Sequence, residues 1–218
     1  FAFIPGQFIQ VHFSYADGQA TKRSYSIGTV AADAASPIVQ IEIAVSYVDG
    51  GAATELLGGL AVGGTVDASG PYGRFCLLPG DSNARYVLVA TGTGITPYRA
   101  MLPLMRRLIA ERGCRFELIQ GARNEAELLY GDEFAAFAEA TPGFGFHPCF
   151  SREPRAVPRP GDYAGRVQVA IEALQPDAAT DVFYLCGNPD MVDQSFALLK
   201  DAGFAVSQIR REKYISSR

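Results

Sequence analysis

Residues 86–97 read YVLVATGTGITP, an apolar run, a glycine-rich turn and a helix opening in immediate succession. The continuous apolar stretch Tyr86–Ala90 is what a strand covered on both faces requires. Glycines at 92 and 94 let the backbone approach a ligand with no Cβ in the way. Thr96 can cap the next helix, and Pro97 suits its first position. Amides at such a helix start favour a phosphate or pyrophosphate. A tight strand–helix turn that needs glycine for geometry alone accounts for the same residues. The spacing also departs from G-x-G-x-x-G, because the turn is shorter.

Downstream of this stretch the period stays that of alternating strands and helices. The spacing predicts a helix from Pro97 to about Arg112, a strand at Phe116–Gln120 and a helix at Glu125–Ala138. A strand at Phe144–Phe150, a polar Pro-rich loop over Arg152–Asp162 and a helix at Val167–Leu174 follow. The strand Val182–Cys186, a helix Met191–Ala202 and a strand near Val206–Lys213 close the chain. Repeated strand–helix–strand units mean a parallel sheet with helices on both faces.

Upstream the period is that of strands. Gln7–Phe13 alternates, Lys22–Ile27 reads as a strand, and Ile38–Val48 puts Val39, Ile41, Ile43 and Val45 on one face. Gly-rich turns separate these runs, and the one helical stretch is short, near Ala53–Leu60. An antiparallel barrel or sandwich is expected. The polar linker Pro79–Ala84 divides the halves, which gives two domains, 1–80 all-β and 85–218 α/β. The chain opens at Phe1 without Met inside strand-like sequence, so a preceding N-terminal piece is expected.

Composition sets outer limits. In 218 residues, 48% hydrophobic and 19% charged side chains exclude a disordered chain. A chain this long buries roughly 70% of its unfolded surface and needs no metal or disulfide staple. Nineteen Lys+Arg against 23 Asp+Glu give a net charge of −4, which argues against nucleic acid as the main partner. No apolar run reaches the ~18 residues that span a bilayer. Cys76, Cys114, Cys149 and Cys186 are too scattered for a zinc site or an iron–sulfur cluster. Free cysteines with no secretory signal suit a reducing cytoplasm.

Three further patterns bear on chemistry. Tyr184–Met191, YLCGNPDM, ends an apolar strand at Cys186-Gly187, and strand carboxyl ends border the ligand crevice of an open α/β sheet. A buried inert thiol is the plainer account of Cys186. Arg23-Ser24-Tyr25-Ser26 lies on a strand whose alternation sets Arg23 and Tyr25 on one face, where a guanidinium and a ring can hold a phosphate and stack a planar group. Gly50–Thr54, GGAAT, opens a short helix and is a second anion-receptive turn. An exposed polar sheet face is the alternative for the strand residues. Two such sites in different domains suggest two dinucleotides.

In this order, Arg-x-Tyr-Ser, Gly-Gly-x-x-Thr, Thr-Gly-Thr-Gly-Ile-x-Pro and Cys-Gly-Asn-Pro-x-Met resemble the ferredoxin–NADP reductase family over essentially the whole chain, from Pro5-Gly6-Gln7-Phe8 onward. The resemblance implies an antiparallel β-barrel that binds FAD, followed by a Rossmann-like parallel-sheet domain for NADP(H). It assigns Arg23, Tyr25 and Ser26 to the flavin, with the Ser26 hydroxyl near N5, and Gly51, Ala52, Ala53 and Thr54 to the FAD pyrophosphate. Thr91, Gly92, Thr93, Gly94, Pro97 and Gly187 would line the nicotinamide nucleotide, with Cys186 near its ring. Glu212-Lys213-Tyr214 resembles the family's C-terminal acidic–x–aromatic element beside the flavin. Plant-type members stop at the aromatic residue, whereas this chain continues through Ile215–Arg218, so the tail would cover the flavin differently.

Ser151-Arg152 after a strand suits a 2′-phosphate, and Arg123 after the preceding strand adds charge. A solvated surface loop is the alternative. The implied reaction passes hydride from NADPH to the flavin and single electrons onward to a separate carrier such as ferredoxin or flavodoxin. Ser26, Cys186 and Glu212 are its candidate catalytic residues. Lys22, Arg23, Arg74, Arg210, Arg211 and Lys213 could form a basic rim for an acidic carrier, or simply be solvated. Other readings are an NADH-dependent reductase component of an oxygenase or flavin reductase, and a non-catalytic nucleotide-binding sensor. Sequence sets no oligomeric state, and a monomer is expected.

Overall fold

The computed structural model describes residues 1–15, 17–31, 37–78 and 80–214. They form two compact units, one of Phe1–Leu77 with Thr96–Met101, the other of Leu78–Ile95 with the chain from Leu102 onward. The opening turn of a helix thus belongs to the first unit while its remainder belongs to the second, a division that periodicity alone does not reveal.

The first unit is built on β1 (Phe8–Ser14), β2 (Ala20–Ser26) and β3 (Asp67–Tyr72), an antiparallel sheet in the order β2-β1-β3. Alternation sends Ile9 and Val11 inward with Ile27, where Phe3 and Ala100 join them. Helix α1 (Ala52–Gly58) follows the glycine turn as expected. Strand β3 is an addition, hidden in sequence by its Gly70-Pro71 pair. Ile38–Val48 departs from the expected strand, since among the described residues it holds only the isolated bridge Ile27–Ile43. Val39 is fully exposed, while Ile38, Ile41 and Ile43 pack against the core. Alternation defines a buried face, but a ladder also needs a neighbour along its length. Here the backbone bonds run instead from Gly28 to Glu42 and from Ile38 to Phe1.

The second unit holds β4 (Arg85–Thr91), α2 (Thr96–Arg112), β5 (Arg115–Ala122), α3 (Gly131–Ala140), β6 (Phe144–Phe150) and β7 (Tyr163–Ala164). It continues with α4 (Val167–Ala173), β8 (Asp181–Gly187), α5 (Pro189–Asp201) and β9 (Ile209–Lys213). Its six strands are parallel, in the order β7-β6-β5-β4-β8-β9. Residues 86–90 of β4 are all buried, which is why YVLVA carries no alternation. On one face Val87, Val89, Ile119, Phe183 and Leu185 meet Ile171, Val192 and Leu199 of α4 and α5. On the other, Phe134 and Phe137 of α3 pack on Phe146 and Phe144 of β6. The expected helix Glu125–Ala138 is broken. A 3-10 turn at Glu125–Glu127 precedes α3, and Tyr130 between them is left-handed, with φ 58°. No helix among the described residues is long and apolar enough to cross a membrane.

Candidate functional site

In the first unit, β2 holds Arg23 and Tyr25 opposite Val11 and Ile9 of β1, both half-buried on one face. Tyr25 packs on the Ile9–Val11–Ile27 core. Burial raises its phenol above the ordinary value, and the Arg23 charge pulls the other way. The Arg23 guanidinium donates to the Tyr15 hydroxyl at 2.9 Å and to the Lys22 carbonyl at 2.9 Å, with its carbon 5.7 Å from the Phe13 ring centroid. Ser26 is buried at the strand end, although Ser24 and Lys22 of the same face are exposed.

Gly51 caps α1, and its amide donates to the Val48 carbonyl at 2.9 Å. The Thr54 hydroxyl accepts from the Val48 amide at 3.0 Å. These two groups brace the turn, and Ala52 and Ala53 head the helix, where amides lack intrahelical acceptors. Leu56 and Leu57 of α1 pack against the same core as Tyr25. A guanidinium, an aromatic ring, a buried hydroxyl and helix-start amides in one unit are the chemistry that a flavin dinucleotide needs.

In the second unit, the chain leaves β4 toward β5 on one side, and β8 lies on the other, so the carboxyl ends of β4 and β8 flank the switch point of the sheet. Two turns meet there. The Asn188 amide donates to the Thr91 hydroxyl at 3.1 Å. A Cβ on Gly94 would lie 2.4 Å from the Cys186 carbonyl oxygen, and one on Gly187, at φ +125°, 2.5 Å from the Thr91 carbonyl oxygen. Gly94 is therefore needed by the fold's own backbone, the geometric role that a tight strand–helix turn gives it. Gly92, at φ +54° with nothing within 4 Å, is the glycine that leaves space.

The expected cap is corrected. Gly92–Ile95, with half-buried Thr93, forms a 3-10 turn that runs directly into α2, so the cap position falls on Ile95. The Thr96 hydroxyl is buried with no hydrogen-bond partner among the described residues. Pro97 is the second residue of the helix, one place later than the sequence predicts and still within its first turn. Asn188 carries a role that its place in the motif alone does not show. Its side-chain oxygen accepts from the amides of Asp190 and Met191 and caps α5, a role that Asn-Pro before a helical run signals.

Parallel pairing of β8 with β9 sets Cys186 beside Glu212. Cys186 is fully buried. Desolvation first, and the Glu212 charge second, push its thiol well above the ordinary value, while a hydrogen bond with the Tyr214 side chain works the other way. It stays a neutral thiol at physiological pH. Burial lifts the Glu212 carboxyl to about 7, so it exchanges a proton near neutrality. The Tyr214 amide donates to the Gly187 carbonyl at 2.8 Å, which anchors this element to the second turn. Ser26 belongs to the other unit, and Ile215–Arg218 lies outside the described residues.

The ends of β5 and β6 are stitched together. Ala122 accepts from the Ser151 amide and hydroxyl at 3.0 and 3.2 Å, and Arg123 accepts at its carbonyl from the amides of Arg152 and Glu153. Arg123 itself pairs with Glu127, Nε to Oε2, at 2.7 Å. Arg152 is exposed.

The six basic residues expected to form a rim are mostly engaged within the chain. Arg210 grips Asp81, Arg211 lies over the Phe196 ring, Lys213 pairs with Asp193, and Arg23 is bound as above. Lys22 and Arg74 are exposed.

The chain matches the oxidoreductase FAD-binding domain family over residues 1–76 and the oxidoreductase NAD-binding domain family over residues 88–195. It is 33% identical to the reductase subunit of an aromatic O-demethylase from Amycolatopsis sp., covering 98% of this chain and 61% of that protein. It is also 33% identical to ferredoxin–NADP reductase B of Sorangium cellulosum, covering 98% of this chain and 86% of the relative. A ferredoxin NADP+ reductase from Neisseria gonorrhoeae, solved with bound FAD and NADP, superposes with a TM-score of 0.75 at 25% identity, over 98% of this chain and 87% of that one. The chain thus spans about three fifths of the first of these relatives.

Proposed function

The chain belongs to the ferredoxin–NADP reductase family of FAD- and nicotinamide-nucleotide-binding oxidoreductases, and from that premise we propose that it takes hydride from NADPH and feeds single electrons to a separate protein carrier such as ferredoxin or flavodoxin. Residues 1–80 would hold FAD and residues 85–218 the nicotinamide nucleotide. The observation that carries the reading is the pair of turns at Thr91–Gly94 and Cys186–Asn188, interlocked at the switch point of the parallel sheet with Glu212 and Tyr214 beside them.

FAD, when bound, accepts hydride as a pair of electrons and releases the electrons singly. The chain's own residues do the rest. Arg23 would neutralise pyrophosphate charge, aided by the amides of Gly51, Ala52 and Ala53, and Thr54 would keep that turn in place. Tyr25 would pack on the ring system, and Ser26 would hydrogen-bond at N5. Thr91, Gly92, Thr93, Gly94 and Pro97 would shape the nicotinamide side, while Gly187 lets the second turn close on the first. Cys186, a neutral buried thiol, would lie near the nicotinamide ring and would not act as a base. Glu212 would hold or release a proton beside that ring. Ser151 and Arg152 would receive a 2′-phosphate.

A second reading is an NADH-dependent reductase component of an oxygenase. The Arg123–Glu127 ion pair favours it, as does the relative named as the reductase subunit of an aromatic O-demethylase. An absorbance spectrum of the purified chain supplied with FAD, followed by anaerobic titration with NADPH and with NADH, tests both. Flavin absorbance that bleaches at lower NADPH than NADH supports the first reading, and the reverse order supports the second. A chain that takes up no FAD overturns both and leaves a nucleotide-binding sensor.

A further inference from the structure

At the adenosine end that the proposed reading assigns to β5 and β6, three groups could meet a 2′-phosphate. The Ser151 hydroxyl donates its proton to the Ala122 carbonyl. The backbone stitch from Arg152 and Glu153 to the Arg123 carbonyl brings the two arginines to neighbouring strand ends. Two guanidiniums so placed would converge on a phosphate dianion. Arg123, however, has its Nε held 2.7 Å from Glu127 Oε2. The 3-10 turn Glu125–Glu127 fixes that carboxylate, because Asn124 at its cap accepts from the Glu127 amide through its side chain at 3.2 Å. Arg152 makes no ion pair among the described residues, so it alone remains.

We propose that Glu127 determines the cofactor preference of this chain, acting as a built-in counter-charge that occupies Arg123 and suppresses affinity for the 2′-phosphate of NADPH. The inference rests on the reading of residues 85–218 as a nicotinamide-nucleotide domain and deepens it. The carboxylate both cancels one of the two cations and repels a dianion brought to the other. Both partners are substantially exposed, with 57% and 38% of their side-chain surface open to solvent, so the pair contributes little to the fold. Its removal changes ligand charge recognition without dismantling the loop. The wild-type chain therefore separates NADPH from NADH only weakly, through Arg152.

Calorimetric titration of the whole chain with 2′,5′-ADP and with 5′-AMP tests this. Glu127→Gln is expected to tighten 2′,5′-ADP by about threefold to fivefold while 5′-AMP stays unchanged within error, as an exposed charge–charge effect should. Adding Arg123→Gln to that variant is expected to erase the gain. The 5′-AMP titration doubles as a check that each variant is folded. An unchanged 2′,5′-ADP affinity in Glu127→Gln, or a gain that survives Arg123→Gln, overturns the role of Glu127 and leaves the nucleotide domain standing. A wild-type chain that binds neither nucleotide overturns the domain reading, and this inference with it.

Discussion

Glu212 combines a legible position with an illegible property. Its place in an acidic–x–aromatic element is readable from residues 212–214, but its proton affinity comes from burial beside β8, which no local pattern encodes. With its carboxyl lifted from 4.5 to about 7, the folded chain keeps a proton that the unfolded chain has already released across that interval. Folding stability therefore falls as pH rises from about 4.5 to about 7 and then levels off, a loss of at most about 3 kcal/mol. Urea denaturation of the wild type and of Glu212→Gln at about pH 5 and about pH 8 measures it. The variant, which cannot ionise, is expected to lose less stability between the two values. Parallel losses in both proteins would show that Glu212 ionises like a surface acid. Glu127 makes the same point in another form. Glu125-Ala126-Glu127 reads in sequence as the opening of a helix, and nothing in that reading reveals the i,i+4 reach from Arg123 to Glu127.

Elements were most legible where one requirement ruled. Strand β4 holds the expected run 86–90 because a buried parallel strand leaves an unbroken apolar run, and α5 follows from its period, although it begins at Pro189, two residues before the expected Met191. Elements failed where a second requirement intervened. Ile38–Val48 has the alternation of a strand without the ladder, and the helix expected from Glu125 is interrupted at left-handed Tyr130. The glycine turn after β4 shows how two glycines in one motif serve different ends. Gly94 sits against backbone atoms of Cys186 and Gly187, which cannot swing aside as a flexible side chain can. Gly94→Ala is expected to destabilise by about 1–3 kcal/mol through overpacking, whereas Gly92→Ala meets open space and incurs only the left-handed backbone penalty of about 1 kcal/mol. Denaturant midpoints of the two variants decide the matter. A Gly94→Ala protein as stable as Gly92→Ala would mean that the two turns are not locked together.

Over the whole molecule, the change of period near residue 85 made the two-part architecture readable, and the ordered motifs made the nucleotide turns readable. Contacts between residues far apart in the chain were not. Residues 79–84 look like a polar connector, yet Asp81 is a hub of the second unit. Its carboxylate takes the Arg210 guanidinium of β9 on both oxygens, at 2.6 and 2.8 Å, from 129 residues away. Its backbone carbonyl accepts from Arg112 at the end of α2. Arg210 also donates to the Tyr184 hydroxyl and lies over that ring, so burial and Asp81 together shape the Tyr184 and Arg210 environment. One acid thus ties the entry of the sheet to its edge strand and its first helix. Asp81→Ala would leave a mostly buried guanidinium without its counter-charge, and the expected loss is about 2 kcal/mol, below the full cost of breaking a buried pair because Arg210 keeps some solvent. Asp81→Asn, which keeps an acceptor oxygen, is expected to lose less. Urea melts of the three proteins measure this series, and a change below about 0.5 kcal/mol in Asp81→Ala, the range of ordinary surface substitutions, would return residues 79–84 to the role of simple connector.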